Sequence, residues 1–212
     1  MQEQGRFITF EGIDGSGKTT QMKLLADRLR GQGRNVLETV EPGGTAIGKQ
    51  VRRILLDAEN HDLRPTAELL LYFASRAQNV EECILPALSA GNIVLCDRFT
   101  DSTLAYQGYA RGLGEETVRT LDKIACGGLV PDLTLLIDVD VDTGLTRTQA
   151  RNVETAATDT RMDEQSLAFH RKVRDAYTAL AKQYAGRFRI IDGRGASDVV
   201  AAKVWESVVA YV

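Results

Sequence analysis

Short apolar runs alternate along the chain with longer segments in which apolar residues recur at helical spacing. The helical pattern is clear at Met22, Leu25 and Leu29, which repeat every three or four residues. Five short runs predict strands: Arg6–Glu11, Asn35–Glu38, Ile93–Asp97, Leu133–Val139 and Phe188–Ile191. This alternation indicates an α/β fold in which a parallel five-stranded sheet has helices on both faces.

Glycines and small polar residues mark the predicted ends of these elements. Gly31–Gly33 and Gly127–Gly128 each follow a helical segment, where glycine adopts the left-handed conformation of a helix C-terminus without steric strain. The stretch Asn152–Thr160 is small and polar and has no hydrophobic periodicity. We therefore expect an exposed, mobile loop there.

The size and composition of the chain limit its class. Its 212 residues, 43% of them hydrophobic, suffice for a substantial core but are few for two domains of roughly 150 residues each. We therefore expect a single domain over residues 1–212.

A formal net charge of −3 provides no general attraction for polyanions, so we expect neither nucleic acid nor a membrane as a partner. No apolar run approaches the ~18 residues that cross a bilayer, and we expect a cytoplasmic location.

The cysteines and histidines do not form the patterns of a disulfide framework or a zinc site. Cys83, Cys96 and Cys126 are odd in number and have no CxxC spacing, which favours reduced, buried thiols. His61 and His170 complete no metal-binding motif. We expect both histidines to be ordinary structural or surface residues.

A glycine-rich segment directly after the first predicted strand fits the pattern G-x-x-x-x-G-K-[ST]. It runs from Gly12 to Thr19, between the apolar run Phe7–Phe10 and a predicted helix, which is the context of a P-loop. Backbone N–H groups of such a loop converge on phosphate oxygens, and the helix N-terminus adds about half a positive charge. We expect Lys18 to reach the β- and γ-phosphates and the Thr19 hydroxyl to bind Mg²⁺. The expected nucleotide-binding residues are Gly12, Ile13, Asp14, Gly15, Ser16, Gly17, Lys18, Thr19 and Thr20.

The third predicted strand ends in a carboxylate that is followed by an arginine. Asp97 lies where a strand-end carboxylate can hold Mg²⁺ or its water, and Arg98 places a fixed cation beside it, suited to a second phosphate. A GTPase would carry an N-K-x-D motif, which the sequence lacks, and a motor ATPase would usually end this strand in Asp-Glu. These features favour a kinase over either class.

The residues around these motifs resemble the thymidylate kinases, a family of P-loop nucleoside monophosphate kinases. The most specific stretch is Asp97–Gly112, which looks like the thymidylate kinases and unlike adenylate, guanylate or shikimate kinases. The matching motifs occur in family order: Glu41–Thr45, Phe73–Arg76, Asp97–Phe99, Asp101–Gly108, Pro131–Thr134 and Thr160–Asp163. The resemblance implies a three-layer P-loop kinase fold with a short lid at about residues 147–162.

The resemblance also implies an acceptor site for dTMP. Tyr72 and Arg76 lie four apart on a predicted helix, hence on one face, and in the family an aromatic ring stacks on thymine while the arginine binds its carbonyl. Phe73 is the alternative stacking residue. Gln107 has the donor and acceptor that the imide edge of thymine needs, and Tyr106 resembles the family residue under the sugar. The implied acceptor-binding residues are Glu41, Arg52, Tyr72, Arg76, Arg98, Ser102, Thr103, Tyr106 and Gln107.

Asp14 and three arginines of the predicted lid complete the implied site. The family places an aspartate at the position of Asp14 to contact the 3′-hydroxyl of the acceptor. Because the P-loop of this chain has no arginine, the resemblance implies that the lid supplies one. Arg151 and Arg161 would close on the triphosphate, and Arg147 would lie near the adenine. The implied catalytic residues are Asp14, Lys18, Arg98, Arg151 and Arg161.

Our hypothesis is that the chain transfers a phosphoryl group from ATP to dTMP with Mg²⁺ and, as the resemblance implies, forms a homodimer. Two alternatives remain open. The first is a kinase of another nucleoside monophosphate, and the second is a P-loop protein that binds nucleotide without transferring phosphate. Arg98, the lid arginines and the Tyr106–Gln107 motif argue against the second alternative.

Overall fold

Five parallel strands form the central sheet of the structure, a computed structural model that describes residues 5–155 and 159–212. Their order across the sheet is β2-β3-β1-β4-β5, and every pairing is parallel. The strands are β1 Arg6–Glu11, β2 Val36–Val40, β3 Ile93–Asp97, β4 Leu133–Asp138 and β5 Phe188–Asp192. The predicted parallel sheet is therefore confirmed, and the predicted strand ends differ by at most two residues.

Helices pack on both faces of this sheet. The described helices are α1 Lys18–Gly31, α2 Ala46–Leu56, α3 Pro65–Asn79, α4 Leu85–Ser89, α5 Thr100–Thr103, α6 Glu115–Cys126, α7 Val141–Thr155, α8 Leu167–Gln183 and α9 Ser197–Val208. Two π-helical segments, Val80–Ile84 and Leu104–Ala110, continue α3 and α5 without a break. As predicted, α1 ends at Gly31 and α6 ends before Gly127, whose φ is 59°. None of the described helices is long and apolar enough to cross a membrane.

Residues of the inner strands alternate between two hydrophobic cores, because successive side chains of a strand point to opposite faces. In β3, Val94 and Cys96 belong to the core that includes side chains of α3 and α6. Ile93 and Leu95 belong to the core that includes side chains of α1 and α9. All four residues are at most 2% exposed. Burial on both faces explains why this strand is a continuous apolar run in the sequence.

The carboxyl ends of β1 and β3 position the functional residues. These two strands are neighbours at the centre of the sheet, and Phe10 of β1 pairs with Asp97 of β3. The chain leaves β1 into the glycine-rich loop and leaves β3 into Arg98. In open α/β sheets, ligands bind outside the carboxyl ends of the strands, where the strand order reverses. The two motifs singled out in the sequence therefore meet at this edge.

The predicted loop at Asn152–Thr160 is wrong for its first four residues, which form the end of α7. Residues 156–158 lie outside the described residues. The residues that α7 buries are Val141, Gly144 and Thr148, which are few and mostly small. Such a helix has no hydrophobic period that sequence analysis could detect.

A buried glutamate fixes the turn that follows β3. Glu11 is the last residue of β1 and is fully buried. Its carboxylate accepts hydrogen bonds from the Phe99 backbone N–H at 2.8 Å, the Ser102 hydroxyl at 2.5 Å and the Tyr177 hydroxyl at 3.0 Å. Because Phe99 and Ser102 flank the start of α5, Glu11 holds the segment after Arg98 against β1.

This carboxyl group should make the stability of the fold depend on pH. Burial, and then the nearby Asp101 carboxylate, raises the pKa of Glu11 from 4.5 to about 7. The folded state therefore binds this proton more tightly than the unfolded state does. The resulting stabilisation is full below pH 4.5 and is lost as the pH rises through 7. We expect the Glu11→Gln variant, which cannot ionise, to gain stability relative to the unsubstituted protein as the pH rises over this range, by about 3 kcal/mol.

Urea denaturation at a series of pH values measures this difference in the free energy of unfolding. Glu116→Gln, a substitution at an exposed residue, is the matched control and should follow the unsubstituted protein at every pH. Parallel stability profiles for the Glu11→Gln variant and the unsubstituted protein would show that the Glu11 pKa is not raised by folding.

Candidate active site

A cavity of about 350 Å³ opens at the carboxyl ends of β1 and β3. One side is lined by Asp14, Lys18 and Thr19 of the glycine-rich loop and by Asp97. All the acceptor-binding residues implied by the resemblance also line it: Glu41, Arg52, Tyr72, Arg76, Arg98, Ser102, Thr103, Tyr106 and Gln107. The remaining lining residues are Val40, Pro42, Leu56, Arg151, Asn152, Asp159, Met162 and Asp163.

The glycine-rich loop has the close packing that a phosphate-binding loop requires. A Cβ on Gly12 would lie 2.4 Å from the Ile137 carbonyl oxygen, and one on Gly15 would lie 2.1 Å from the Gly144 carbonyl oxygen. Both glycines also have positive φ, so only glycine fits at these positions. The loop leads directly into α1, whose first residue is Lys18. Its N–H groups are thus arranged at a helix N-terminus, the usual geometry of an anion site.

Of the other predicted nucleotide-binding residues, Ile13 and Ser16 are buried within the loop. Thr20 is exposed and does not line the cavity. Ser16 Oγ is a buried oxygen that has no hydrogen-bond partner in the described part of the chain. The residues of the predicted nucleotide-binding set that line the cavity are therefore Asp14, Lys18 and Thr19.

Lys18 is a buried cation that lies at the base of the cavity. Its Nζ donates a hydrogen bond to the Ile13 carbonyl oxygen at 3.4 Å and lies 3.6 Å from Asp14 Oδ1. Burial, and then the charge of Arg98, lowers the pKa of Lys18, while Asp14 acts in the opposite direction. An anion in the cavity would stabilise the charged ammonium, because buried charges need a partner.

Arg98 has an unusual backbone conformation, with φ at 71° in a residue other than glycine. The left-handed region is unfavourable for a side chain with a Cβ, so surrounding contacts must hold it there. The Arg98 N–H donates to the Phe10 carbonyl oxygen at 2.9 Å, and Cys96 Sγ lies 3.0 Å from the Arg98 carbonyl oxygen. This conformation turns the chain directly after β3.

The Arg98 guanidinium makes hydrogen bonds on several sides of the cavity. Nη2 donates to Asp14 Oδ1 at 2.8 Å and to the Tyr106 hydroxyl at 3.2 Å. Nη1 donates to the Ser102 and Tyr177 hydroxyls, both at 3.0 Å. Because these partners come from the glycine-rich loop, the segment after β3 and α8, the guanidinium is held in one orientation.

Asp14 is an anion shared by Lys18 and Arg98. It accepts hydrogen bonds from Arg98 and, at 3.0 Å, from the Tyr106 hydroxyl. Burial alone would raise the pKa of Asp14, but the positive charges of Arg98 and Lys18 outweigh it and hold the pKa well below its usual range. Asp14 therefore stays ionised and cannot act as a proton donor near neutral pH.

Thr19 and Asp97 bring two oxygen donors together beside the loop. The Thr19 hydroxyl donates a hydrogen bond to the Asp97 carboxylate, and both residues line the cavity. Hydroxyl and carboxylate oxygens are the donor types that Mg²⁺ prefers. The two residues predicted to bind the metal therefore lie in contact with each other, and their chemistry fits that ion.

The end of the cavity away from the glycine-rich loop is built around Arg76. This side chain is 1% exposed and pairs with the buried Glu41 carboxylate, which also accepts a hydrogen bond from Asn79 at 3.0 Å. Arg76 Nη2 donates to the Thr103 hydroxyl at 2.9 Å. Burial favours neutral Glu41 and raises its pKa, although Arg76 opposes this, and Glu41 in turn raises the pKa of Arg76 despite burial.

Tyr72 is the aromatic residue that lines the cavity beside Arg76. Phe73, the alternative stacking residue, is buried in the core and does not line it. Burial, and then the charge of Glu68, raises the pKa of Tyr72 to about 12. The tyrosine ring therefore remains neutral at physiological pH, as a stacking surface for a base requires.

Arg52 lies at the rim of the cavity. Its Nη1 donates to the Pro42 carbonyl oxygen at 2.9 Å, and its Nε lies 3.7 Å from Asp159 Oδ2. Arg53, the next residue of α2, is exposed and does not line the cavity. Of these two adjacent arginines, only Arg52 is in position to contact a ligand in the cavity.

The three arginines of the predicted lid lie in different places. Arg147 Nη1 is 3.5 Å from the carbonyl oxygens of Gly15 and Gly193, next to the glycine-rich loop. Arg151 lines the cavity and forms an ion pair with Asp163 at 3.3 Å. Arg161 does not line the cavity.

Arg161 is held by groups of α2 and α3. Its Nε donates to the Leu55 carbonyl oxygen at 2.5 Å, and its Nη1 lies 2.7 Å from Glu68 Oε2. The side chain is only 5% exposed. Contact between Arg161 and a triphosphate would require these bonds to break, so in this arrangement Arg151 is the lid arginine available to the cavity.

The site also contains three residues that were not predicted from the sequence: Glu11, Glu68 and Tyr177. Each is nearly or fully buried and binds a residue that lines the cavity. A single glutamate in an apolar strand or helix is a possible signal, because unpaired acids are rarely buried. Their partners, however, are brought near them only by the tertiary fold.

Comparisons with known proteins identify the family of the chain. The family model described as thymidylate kinase matches residues 10–204 of the chain. A thymidylate kinase of Pelobacter propionicus is 53% identical over 210 residues, covering 98% of this chain and 94% of that protein. One of Geotalea uraniireducens is 54% identical, covering 93% and 94%. The crystal structure of thymidylate kinase from Ehrlichia chaffeensis superposes with a TM-score of 0.77 at 34% identity, covering 97% of this chain and 99% of that one. The chain therefore belongs to the thymidylate kinase family.

Proposed function

We propose that the protein transfers the γ-phosphoryl group of ATP to dTMP and releases ADP and dTDP. The observation that carries this proposal is a single cavity with phosphate-binding groups on two sides. Lys18 and the glycine-rich loop suit a triphosphate, and Arg98 suits a monophosphate across from it. The name shared by the relatives supports dTMP as the acceptor.

The chemistry needs positioning and charge neutralisation more than proton transfer. A phosphate oxygen of dTMP forms a bond to the γ-phosphorus while the bond from that phosphorus to the β,γ-bridging oxygen breaks, leaving ADP. A phosphate monoester has its second pKa near about 6, so the attacking oxygen is already anionic and needs no base. Lys18, and Arg151 from α7, would offset the charge of the triphosphate.

Mg²⁺ would be held by the Thr19 hydroxyl and the Asp97 carboxylate, the two oxygen donors that lie in contact beside the loop. When bound, the ion neutralises charge on the β- and γ-phosphate oxygens. Few protein ligands are needed, because Mg²⁺ usually completes its coordination with water and substrate phosphates.

The acceptor nucleotide would lie between Arg98 and Arg76. Arg98 and Arg52 would bind its phosphate, which would compete with Asp14 for the guanidinium of Arg98. Asp14 and the Tyr106 ring would contact the deoxyribose. Tyr72 would stack on thymine, while Arg76 and Gln107 would form hydrogen bonds to its edge. Asp14 orients the acceptor in this proposal and transfers no proton.

A panel of acceptors tests the proposal directly. Purified protein with ATP and Mg²⁺ should release ADP far faster with dTMP than with dCMP, UMP or AMP, in a coupled assay of ADP formation. For dCMP and AMP the expected ratio of kcat/KM is at least about a hundredfold, because a site with fixed donors and acceptors rejects a base that leaves them unpaired. UMP has the same imide edge as dTMP, and its rejection would come from the Tyr106 ring, which would leave no space for the ribose 2′-hydroxyl. Comparable rates with AMP would show a kinase of another nucleotide, and no acceptor-dependent ADP would show a binding protein.

Neighbouring arginines of α2 provide a matched pair for the acceptor phosphate. Arg52→Ala should raise KM for dTMP by about tenfold or more, the loss expected for a hydrogen bond to a charged group, and leave KM for ATP unchanged. Arg53→Ala, which removes an exposed charge from the same helix, should change neither constant. Steady-state kinetics with each substrate varied in turn distinguish the two. If Arg52→Ala raised KM for ATP alone, Arg52 would bind ATP and not the phosphate of dTMP.

We further propose that the active form is a homodimer in the cytoplasm, as the family resemblance implies. Ile47, Ile54 and Leu70 are apolar side chains of α2 and α3 that are exposed in the single chain. A second copy of the chain would cover such a surface in the dimer. The cysteines are free thiols, which suits a reducing compartment. Analytical ultracentrifugation that gave the mass of a single chain would contradict the dimer.

A further inference from the structure

Glu68 is a fully buried acid of α3 that lies just behind the acceptor end of the cavity. It does not line the cavity itself. Its carboxylate accepts a hydrogen bond from Gln107 Nε2 at 2.8 Å, and Gln107 does line the cavity. An ionised side chain in such a position needs several partners, because an unpaired buried charge is strongly destabilising.

Two arginines supply those partners. Arg111 donates from Nε to Glu68 Oε1 at 3.3 Å and from Nη2 to Oε2 at 3.2 Å. Arg161 Nη1 lies 2.7 Å from Glu68 Oε2. With these two cations beside it, Glu68 is a carboxylate, which accepts hydrogen bonds and has no proton to donate.

This chemistry determines which way the amide of Gln107 faces. An amide has an oxygen that accepts and an –NH₂ group that donates, and only the –NH₂ group can bind a carboxylate. The Gln107 oxygen must therefore point away from Glu68. It accepts no hydrogen bond from the residues that the structure describes, and its side chain borders the cavity. Gln107 thus offers the cavity an acceptor.

An acceptor in this position distinguishes two kinds of pyrimidine. Thymine has an N–H donor at N3, whereas cytosine has an acceptor at N3 and would place two lone pairs against each other. If the amide of Gln107 could turn over, its –NH₂ group would accommodate cytosine instead. Discrimination against cytosine therefore depends on what prevents the amide from turning.

We propose that Glu68 is a positioning residue for base specificity, which holds Gln107 with its carbonyl oxygen toward the base and so excludes 4-aminopyrimidine nucleotides. This inference rests on the proposed function, because it concerns the acceptor of that reaction. Glu68 acts through Gln107 and touches neither the base nor the reacting phosphates.

The test is the ratio of kcat/KM for dTMP to kcat/KM for dCMP. Glu68→Gln keeps the shape of the side chain, but its own amide can donate or accept, so Gln107 can adopt both orientations. We expect the ratio to fall at least about tenfold, with a lower kcat/KM for dTMP, a higher one for dCMP and an unchanged KM for ATP. Arg111→Gln is the matched control, because it disturbs the same cluster while leaving the Glu68 carboxylate bound to Gln107.

Loss of Glu68 leaves the buried Arg161 and the half-buried Arg111 without their anion, and the single variant could fail to fold. The double variant Glu68→Gln with Arg111→Gln removes one charge of each sign and keeps the net charge of the cluster. It should show the same fall in the ratio when compared with Arg111→Gln alone.

An unchanged ratio in folded Glu68→Gln, or in the double variant relative to Arg111→Gln, would overturn the proposal. An equal fall in Arg111→Gln would also overturn it, because that result would indicate a general structural role of the cluster. The ratio for the unsubstituted protein is measured before any variant is made. If that protein did not prefer dTMP over dCMP, the result would instead contradict the proposed function.

Discussion

The ion pair between Asp14 and Arg98 joins the two halves of the active site. Asp14 belongs to the glycine-rich loop, and Arg98 follows β3 in a left-handed conformation that adjacent backbone contacts hold. The pair lies at 2.8 Å, with the Tyr106 hydroxyl bonded to both members. Because a partly buried charge is costly without its partner, the pair fixes the distance between the loop that would bind ATP and the cation that would bind dTMP. An in-line transfer depends on that distance.

Three buried glutamates orient side chains that line the cavity. Glu41 binds Arg76, Glu68 binds Gln107, and Glu11 binds Ser102 together with the backbone after Arg98. Each carboxylate accepts several hydrogen bonds, so each functional group has one favoured orientation. The cavity is therefore preorganised by buried acids, two of which, Glu11 and Glu68, do not line it. Such support lets a site place donors and acceptors without rearrangement during the reaction.

The sequence predicted the parallel sheet, the glycine-rich loop and the strand-end Asp97–Arg98 pair, because these depend on local pattern and spacing. It did not predict the helical end of α7, whose buried residues are too small to give a period. Nor did it predict that Arg161 would bind Glu68, since the two residues are 93 positions apart in the sequence and meet only through tertiary packing. The roles of Lys18, Thr19, Asp97 and Arg98 came from the loop motif and the end of β3, and those of the other site residues came from the family resemblance. All of these roles are proposals.

A double-mutant cycle measures whether Asp14 and Arg98 work as one unit. Asp14→Asn and Arg98→Lys, alone and together, would be compared by kcat/KM for dTMP at saturating ATP. We expect each single variant to lose roughly a hundredfold or more and the double variant to lose little beyond the worse single, because residues that act as a unit are non-additive. Additive losses in the double variant would contradict the account, since they would mean that the two residues contribute independently.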